Sequence, residues 1–573
     1  MKASFSEVFY PKLFSSLKGY NREKFTADAV SGVIVGIVAI PLAIAFAIAC
    51  GPKISPAEGL ITAIIAGFLI SLLGGSSVQI GGPTGAFVPV IALIIQQNGV
   101  GGLMIATLIA GILLIVMGFC KLGSIIKFVP YPVIVGFTGG IALIIFSQQM
   151  NNLFGWGINP DEIPADFIHQ WMCYFRYFSQ VDWWTLGVGL ASLAIILLTP
   201  KFFKKIPGSF VAILIVTAAV WALKTYFGID EIKTIGDLYT LPEGLPAPRM
   251  PQVELEQGRT MLDLIQQLFP AAFTIAMLGS IEALLSATVA DGATGDKHNS
   301  NTELIGQGIA NVIVPFFGGI PATGAIARTM TNINNGGRTP VAGIIHAFVL
   351  LLVLLFLTWL VAYIPMTCLA AVLVVVCYNM SGWKTFVSLA RNPKSDFTVL
   401  IVTFALTLIF GLSTGIGIGL LLAVVLFIRR TNEASVIRVF RDEIDPSKNL
   451  DVSLHEEKLI IPEGVEVYEI DGPYFFGVAN KFEEVMKVIG DKPKVRIIRM
   501  RKVPFIDSTG IHNLETLCEQ SKRDGIRIIL SGVNRHVRET LGKAGFSKLI
   551  GNEYICSNIN EALEKSSQFI LNS

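Results

Sequence analysis

The sequence predicts a polytopic α-helical membrane protein of fourteen spans, arranged as two inverted repeats of seven, followed by a cytosolic α/β domain. Three observations predict it. Of 573 residues, 52% are hydrophobic and 15% charged, with a mean hydropathy of +0.63, whereas ordinary soluble domains carry about 25% charge. Apolar segments long enough for a membrane follow one another from Ala29 to Phe427, and past about Ile437 the composition turns soluble. One broken motif occurs in each half: Gln79–Phe87 reads QIGGPTGAF, and Gly318–Gly337 reads GGIPATGAIARTMTNINNGG.

The first 27 residues carry Lys2, Lys12, Lys18, Arg22 and Lys24 without a leader-cleavage pattern, which suits a cytoplasmic segment. The transmembrane part is expected over 28–430. Its first half reads Ala29–Cys50 with Pro41 inside, Gly59–Leu73, the broken Val78–Gln97, Gly101–Phe119, Pro130–Met150, Trp184–Leu198 and Ile206–Phe227. A loop, Gly228–Asp263, separates the halves. The second half reads Leu264–Val289, Leu304–Phe317, the broken stretch, Val341–Tyr363, Met366–Asn379, Phe397–Gly411 and Ile416–Phe427.

Charge placement sets the orientation. Loops after even-numbered spans are basic: Lys121 and Lys127; Lys201, Lys204 and Lys205; Lys384, Arg391 and Lys394; Arg429 and Arg430. Loops after the fifth and seventh spans are acidic, with Asp161, Glu162, Asp166 and Asp182, then Asp230, Glu231, Asp237, Glu243, Glu254, Glu256 and Asp263 against Lys233, Arg249 and Arg259. Positive charge stays inside, so both termini are expected in the cytoplasm and the protein in the cell inner (plasma) membrane.

After a linker at 431–456, residues 457–570 alternate strands and helices. Glu466–Ile470, Lys494–Arg501 and Ile526–Leu530 read as strands, and Val478–Ile489 as amphipathic. A segment of this length can bury a core of its own. The net charge of +2, without a basic cluster interleaved with aromatics, gives no sign of nucleic-acid binding. Seven cysteines without CxxC or metal spacing point to free thiols and no metal site. No cofactor is implied.

Glycine and proline forbid one continuous helix through either broken stretch. Between its breaks, Thr323–Thr331 suits a short helix whose amide end carries the small residues Thr323, Gly324 and Ala325, with Arg328 one turn on. Helix starts present free N–H groups and partial positive charge, small residues let an anion approach them, and a guanidinium completes the site. A charge at membrane depth costs roughly 2.5–3.5 kcal/mol on insertion scales and marks function. Thr84-Gly85-Ala86 repeats Thr323-Gly324-Ala325. Paired interrupted segments point to the substrate site of inverted-repeat transporters.

Residues 277–328, MLGSIEALLSATVADGATGDKHNSNTELIGQGIANVIVPFFGGIPATGAIAR, resemble the signature region of SulP anion transporters, the family of the mammalian SLC26 proteins. QIGGPTGAF and IPLAIAFAIA (residues 40–49) resemble that family's third and first spans. The C-terminal segment with Asp507-Ser508-Thr509-Gly510 is similar to a STAS domain. Within the family the chain most resembles the enterobacterial C4-dicarboxylic acid transporters. The resemblance implies a core domain rocking against a gate domain, usually in a homodimer. It also implies substrate contacts at Phe46, Thr84, Gly85, Ala86, Ala327 and Arg328, to which the reading of the helix amide end adds Thr323 and Gly324. Leu42 and Ala327 stand where some animal members have polar residues, so the animal chloride pattern is incomplete.

Glu282 lies mid-span in LGSIEALLSA. Two roles are open to it. It can form a structural ion pair with Arg328. Alternatively, as a carboxylate expensive to ionise when buried, it can carry a proton, and the neighbouring Ser286 and Thr323 favour protons with sodium as the alternative. Asp291, Asp296, Lys297 and His298 read as a solvated cytoplasmic loop. Asp507 and Ser508 read as a helix cap, while the resemblance adds phosphorylation of Ser508 or a cytosolic partner. Phe87 reads equally as packing.

The function expected is secondary active transport: proton-coupled symport of sulfate or a related anion such as a C4-dicarboxylate, by alternating access. An anion channel or a bicarbonate/chloride exchanger regulated by the C-terminal domain is the alternative. Drawing a dianion into a cell at about −100 mV costs roughly 4.6 kcal/mol, which uncoupled uptake cannot supply. An enzyme is disfavoured, because no nucleophile–base set or phosphate-binding loop is visible.

Overall fold

The computed structural model describes residues 9–126, 129–159, 162–164, 166–202, 207–241, 244, 247–250, 260–391, 393–444, 459–478 and 493–571. Lys2, Lys127, Asp161, Lys204, Lys205, Glu243, Glu254, Glu256, Arg259 and the stretch expected to be amphipathic beyond Val478 lie outside them. The chain divides into two compact units, Met1–Ala423 and Val424–Ser573.

The first unit is helical: α1 Arg22–Ala49, α2 Pro56–Leu73, α3 Val88–Phe119, α4 Tyr131–Phe154, α5 Trp183–Phe202, α6 Gly208–Phe227, α7 Met261–Thr294, α8 Ser300–Ile313, α9 Ile326–Asn334, α10 Val341–Phe356, α11 Met366–Met380 and α12 Lys394–Phe410. The next long helix, α13 (Leu412–Ala434), crosses into the second unit, and shorter helices such as Phe167–Tyr177 and Trp383–Leu389 lie between the numbered ones. Among the described residues, nine helices are long and apolar enough to cross a membrane, and α10 is a shorter apolar helix. The expected third and fourth spans are continuous in α3 across a kink at Gly99, whose φ of 68° breaks helical geometry.

The helices pack in two groups. One holds α1, α2, α3, α7, α8, α9 and α10; the other holds α4, α5, α6, α11 and α12. Small residues permit close crossings in the first group. A Cβ on Gly111 of α3 would stand 2.7 Å from the Gly308 carbonyl oxygen, and one on Gly308 of α8 would stand 2.6 Å from that of Gly111. Within membrane-type sequence this backbone approach supplies the packing that the hydrophobic effect does not.

The broken stretches differ from expectation at their starts. Thr323 and Gly324 are not the first turn of a helix but a strand, β2, and Gly81–Gly82 is its partner, β1. The two pair antiparallel, Gly81 with Gly324 and Gly82 with Thr323. Helix α9 starts only at Ile326 and runs past the expected break at Asn332. Extended backbone wins because strand pairing satisfies buried peptide groups that a helix start would leave open.

The second unit has a five-stranded sheet. Its strands are β3 (Val436–Phe440), β6 (Val465–Asp471), β7 (Val495–Lys502), β8 (Arg527–Ser531) and β9 (Ile555–Cys556), in that order. A separate pair joins β4 (Glu443–Ile444) to β5 (Leu459–Ile460). β3 runs antiparallel to β6, and the other neighbours are parallel. Helices α14 (Ser508–Arg523), α15 (Arg535–Lys543) and α16 (Ile559–Leu571) accompany it. Alternating apolar residues of β6 to β8 feed two cores, one holding Tyr468, Ile498 and Leu530 with Leu514 of α14, the other Val467, Ile497 and Ile529 with Leu563 of α16. The sheet begins earlier than its composition suggests, because β3 lies inside the stretch read as linker.

Candidate functional site

The paired strands bring the helix starts of the two broken segments to one place. Beyond β1, Thr84 precedes a 3-10 turn, Gly85–Phe87, that leads into α3; beyond β2, Ala325 precedes α9. Neither start has a side-chain cap. The usual acceptors for N-terminal amides are therefore missing from both, as an anion site requires. The Thr84 hydroxyl, free of capping, donates to Glu282 Oε2 on α7 at 2.8 Å. Thr323 is fully buried and donates to the Gly279 carbonyl of α7 at 2.7 Å, so α7 touches both broken segments through their threonines.

Arg328 is 2% exposed. Its Nη2 donates to the carbonyl of Pro83, and its Nη1 has no partner among the described residues. No ion pair within 4.0 Å joins it to Glu282 among the described residues, so the structural pair, one of the two roles left open for Glu282, is not formed as a direct contact. Gly82 makes room for the guanidinium, since a Cβ there would stand 2.2 Å from Nη1.

The remaining expected residues divide. Phe46 lies beside the first helix start, 3.0 Å from where a Cβ on Gly85 would be. Ala86 is buried under it, and Ala327 is exposed. Phe87 packs its Cζ against α7 at Gly279. Ser286 does not join Glu282. Its hydroxyl donates to Thr329 Oγ1 at 3.3 Å, and Thr329 also accepts from the Ile80 amide at 3.1 Å. Helix α9 has turned that face to α7, so Ser286 braces the crossing of the two broken segments.

Glu303 is a residue that the reading of the sequence passed over. Fully buried on α8, it accepts from the Gly75 and Ser76 amides at 2.8 and 3.0 Å and from Gln79 and Gln307 at 2.9 Å each. Asn311, one turn further, holds both the amide and the carbonyl of Ala322. Asn332 Nδ2 donates to the Val78 carbonyl at 2.8 Å, and its Oδ1 accepts from Ser31 at 2.7 Å. Together they fix the backbone on either side of β1 and β2. Glu303, Gln307 and Asn311 recur every four residues within apolar sequence, and that polar stripe on one helix face was the available signal.

The loop after α7 is less solvated than expected. The His298 side chain is buried, its Nδ1 2.7 Å from Asp291 and its Nε2 3.0 Å from Ser300. Asp296 accepts from Lys12 and from Ser77, each at 2.9 Å. Among the described residues no cluster of His, Cys, Asp or Glu is suited to a metal. In the second unit, Asp507 caps α14 through the Gly510 amide at 2.7 Å and accepts from the Phe476 amide at 3.2 Å, and Ser508 is exposed at the first helical position.

Comparison with known proteins places this arrangement. Residues 25–403 match the sulfate permease family and residues 458–562 the STAS domain. The chain is 42% identical over 548 residues to YvdB of Bacillus subtilis, provisionally named a sulfate transporter, covering 95% of this chain and 98% of that one. It is 29% identical to the bicarbonate transporter BicA of a Picosynechococcus species, over 94% of each chain. The inward-facing structure of the murine anion transporter Slc26a9 shares the fold, with a TM-score of 0.85 at 19% identity, over 99% of this chain and 95% of that one. These are membrane transporters, not enzymes. With its first unit and its C-terminal domain both matched, the chain belongs to the sulfate permease family, the SulP/SLC26 anion transporters that carry a STAS domain.

Proposed function

We propose that this chain is a secondary active, proton-coupled anion symporter working by alternating access. In this reading the α1–α3/α7–α10 group is the core that carries substrate, and the other group is the gate. Fourteen spans, with the kinked α3 counted twice, cross the inner membrane with both termini in the cytoplasm. The substrate sits between the two helix starts, against Phe46, Thr84, Gly85, Ala86, Thr323, Gly324, Ala327 and Arg328. The observation that carries the coupling is the bond from Thr84 to Glu282. The carboxylate that takes the proton holds a residue of the substrate site, so protonation and anion binding share one hydrogen bond. Sodium in place of the proton is the competing coupling ion.

Sulfate is the first substrate candidate, supported by the name of YvdB. The resemblance to C4-dicarboxylic acid transporters supports a dicarboxylate. Exchange or uptake of bicarbonate is the second reading, favoured by the likeness to BicA along nearly the whole chain. The STAS domain regulates the rate, with exposed Ser508 as the modified or partner-facing residue, and the transporter works as a homodimer. Flux into proteoliposomes, measured for sulfate, succinate and bicarbonate with and without an inward proton gradient, tests this. Accumulation that requires the gradient is expected. Equal flux without any gradient of protons or sodium would favour the channel or exchanger.

A further inference from the structure

Between α4 and α5 lies the short helix Phe167–Tyr177, far in sequence from the anion site. Its eleven residues divide into three sectors. Gln170, Trp171 and Tyr174 turn to the protein. Gln170 Nε2 donates to the Tyr174 hydroxyl at 3.0 Å, and the Trp171 indole donates to Ser147 Oγ of α4 at 2.9 Å. The Tyr174 ring lies 5.0 Å from that of Trp156, which stacks on Phe154 at the end of α4. Ile168, Met172 and Phe175 make a second sector, at the i, i+4, i+7 spacing of one helix face. All three are exposed, Phe175 by 70%. His169 and Arg176 make the third, beside the second, and they too are exposed.

An exposed apolar face of this kind marks a contact surface, and its continuation says what covers it. Exposed Phe178, Trp183 and Trp184 follow the helix, and exposed Leu190 and Leu197 follow them on α5. Both α5 and α4, to which the helix is bonded, are long and apolar enough to cross a membrane. The short helix is not. At a rise of 1.5 Å per residue it is about 16 Å long, against a hydrocarbon core of about 30 Å. Its charged sector also keeps it out of hydrocarbon. A helix with apolar and charged faces side by side is stable where lipid meets water, the level at which Trp and Tyr gather.

We propose that Phe167–Tyr177 is a membrane-surface helix that docks on lipid. Ile168, Met172 and Phe175 lie in the boundary layer of the bilayer, and His169 and Arg176 stand among the headgroups and water. The Trp171–Ser147 bond ties this seat to α4, so the helix group of α4 and α5 is held at a fixed depth. Lipid covers the apolar sector, rather than a second copy of the chain, because the sector runs on into the exposed face of a spanning helix. The inference is independent of the anion carried and of the coupling ion.

The test uses the full-length protein in phosphatidylcholine vesicles, with the exposed Cys120 and the half-buried Cys173 changed to serine; the other five cysteines are buried. Nitroxide labels are placed one at a time through Met172→Cys, Phe175→Cys, His169→Cys and Arg176→Cys, with Leu190→Cys on α5 as the lipid reference. Collisions are measured with oxygen, which concentrates in lipid, and with a neutral nickel chelate, which concentrates in water. Oxygen is expected to dominate at 172 and 175, as at 190, and the chelate at 169 and 176. Equal chelate access at all four helix positions would put the apolar sector in water and overturn the proposal. Exclusion of both reagents from 172 and 175, with a short label-to-label distance between protomers, would make a second copy the occupant and overturn it too. Should Phe175→Cys fail to fold, Ile168→Cys reports the same sector. Trp171→Phe, which removes only the bond to Ser147, should raise the mobility of the label at 175 while the oxygen preference persists. Unchanged mobility would refute the tie to α4.

Discussion

Thr84 and Glu282, 198 residues apart in sequence, share a 2.8 Å hydrogen bond that ties the first broken segment to the long helix α7. The ionised carboxylate is a pure acceptor, while the protonated one can also donate. A proton on Glu282 therefore changes the bond that orients Thr84 beside the helix start. Glu282→Gln is expected to abolish accumulation driven by a pH gradient while leaving anion exchange, since the amide oxygen still accepts from Thr84. Thr84→Val should weaken anion binding and lower the coupling ratio together. Transport assays with and without a gradient check both. An unchanged gradient response in Glu282→Gln would put the proton elsewhere.

Glu303 sets the opposite case, a buried carboxylate whose work is structural. Four donors converge on it, two of them backbone amides of the turn between α2 and β1. Removing it strands those donors, each worth about 1–3 kcal/mol when buried and unpaired. Glu303→Ala should cost about 3–5 kcal/mol and lower the melting temperature of the detergent-solubilised protein. Glu282→Gln should shift it little. Equal melting temperatures for Glu303→Ala and wild type would show that the turn finds other acceptors.

The N-terminal segment is stitched to the first helix group. Lys12 pairs with Asp296 at 2.9 Å, its amide donates to the Gly74 carbonyl at 2.9 Å, and the Tyr10 amide donates to Thr302 at 3.2 Å. Burial alone would raise the pKa of Asp296. Hydrogen bonds from Lys12, the Lys297 amide and Ser77, with the charge of Lys12, outweigh burial and hold the carboxyl below its usual 3.8. A depressed carboxylate contributes stability that is full above the unfolded value and fades as pH falls through the folded one. The clasp should therefore persist at neutral and mildly acidic pH and loosen only below 3.8. Asp296→Asn should mimic the acid state at neutral pH, raising proteolysis near Lys12. Equal cleavage rates in the variant and wild type would refute the clasp.

What the sequence made legible was whatever a local pattern can carry. The broken segments announced themselves through Gly-Gly, Pro and Thr-Gly-Ala, and Glu282 and Arg328 stood out as charges among apolar residues. What it hid was long-range. Nothing local says that Gly81–Gly82 and Thr323–Gly324 pair as strands, because each is only two residues long and the partner lies about 240 residues away in the other half of the membrane-type sequence. The same holds for Ser286, which one helix turn places near Glu282 but α9 draws to Thr329. β3 escaped because its isolated VIRVF reads as a strand only once β6 is beside it.

Arg328 carries the sharpest prediction. Its guanidinium is anchored on the Pro83 carbonyl, and Glu282 is engaged by Thr84, so each charge has its own tether. An exposed helix end contributes about 0.3–1 kcal/mol to an anion, up to ~2 when partly buried, and a hydrogen bond to a charged group roughly 1.5–3. Arg328→Ala should then weaken anion affinity by roughly one to two powers of ten. Arg328→Lys keeps the charge but loses the planar fork, so a carboxylate should suffer more than a halide. Were Arg328 present only to neutralise Glu282, Arg328→Ala combined with Glu282→Gln would restore binding, because no uncompensated charge would remain. The separate tethers predict no rescue. Measured affinities of the two single variants and the double decide it: recovery to wild type in the double would leave the anion to the helix starts alone and remove Arg328 from the site.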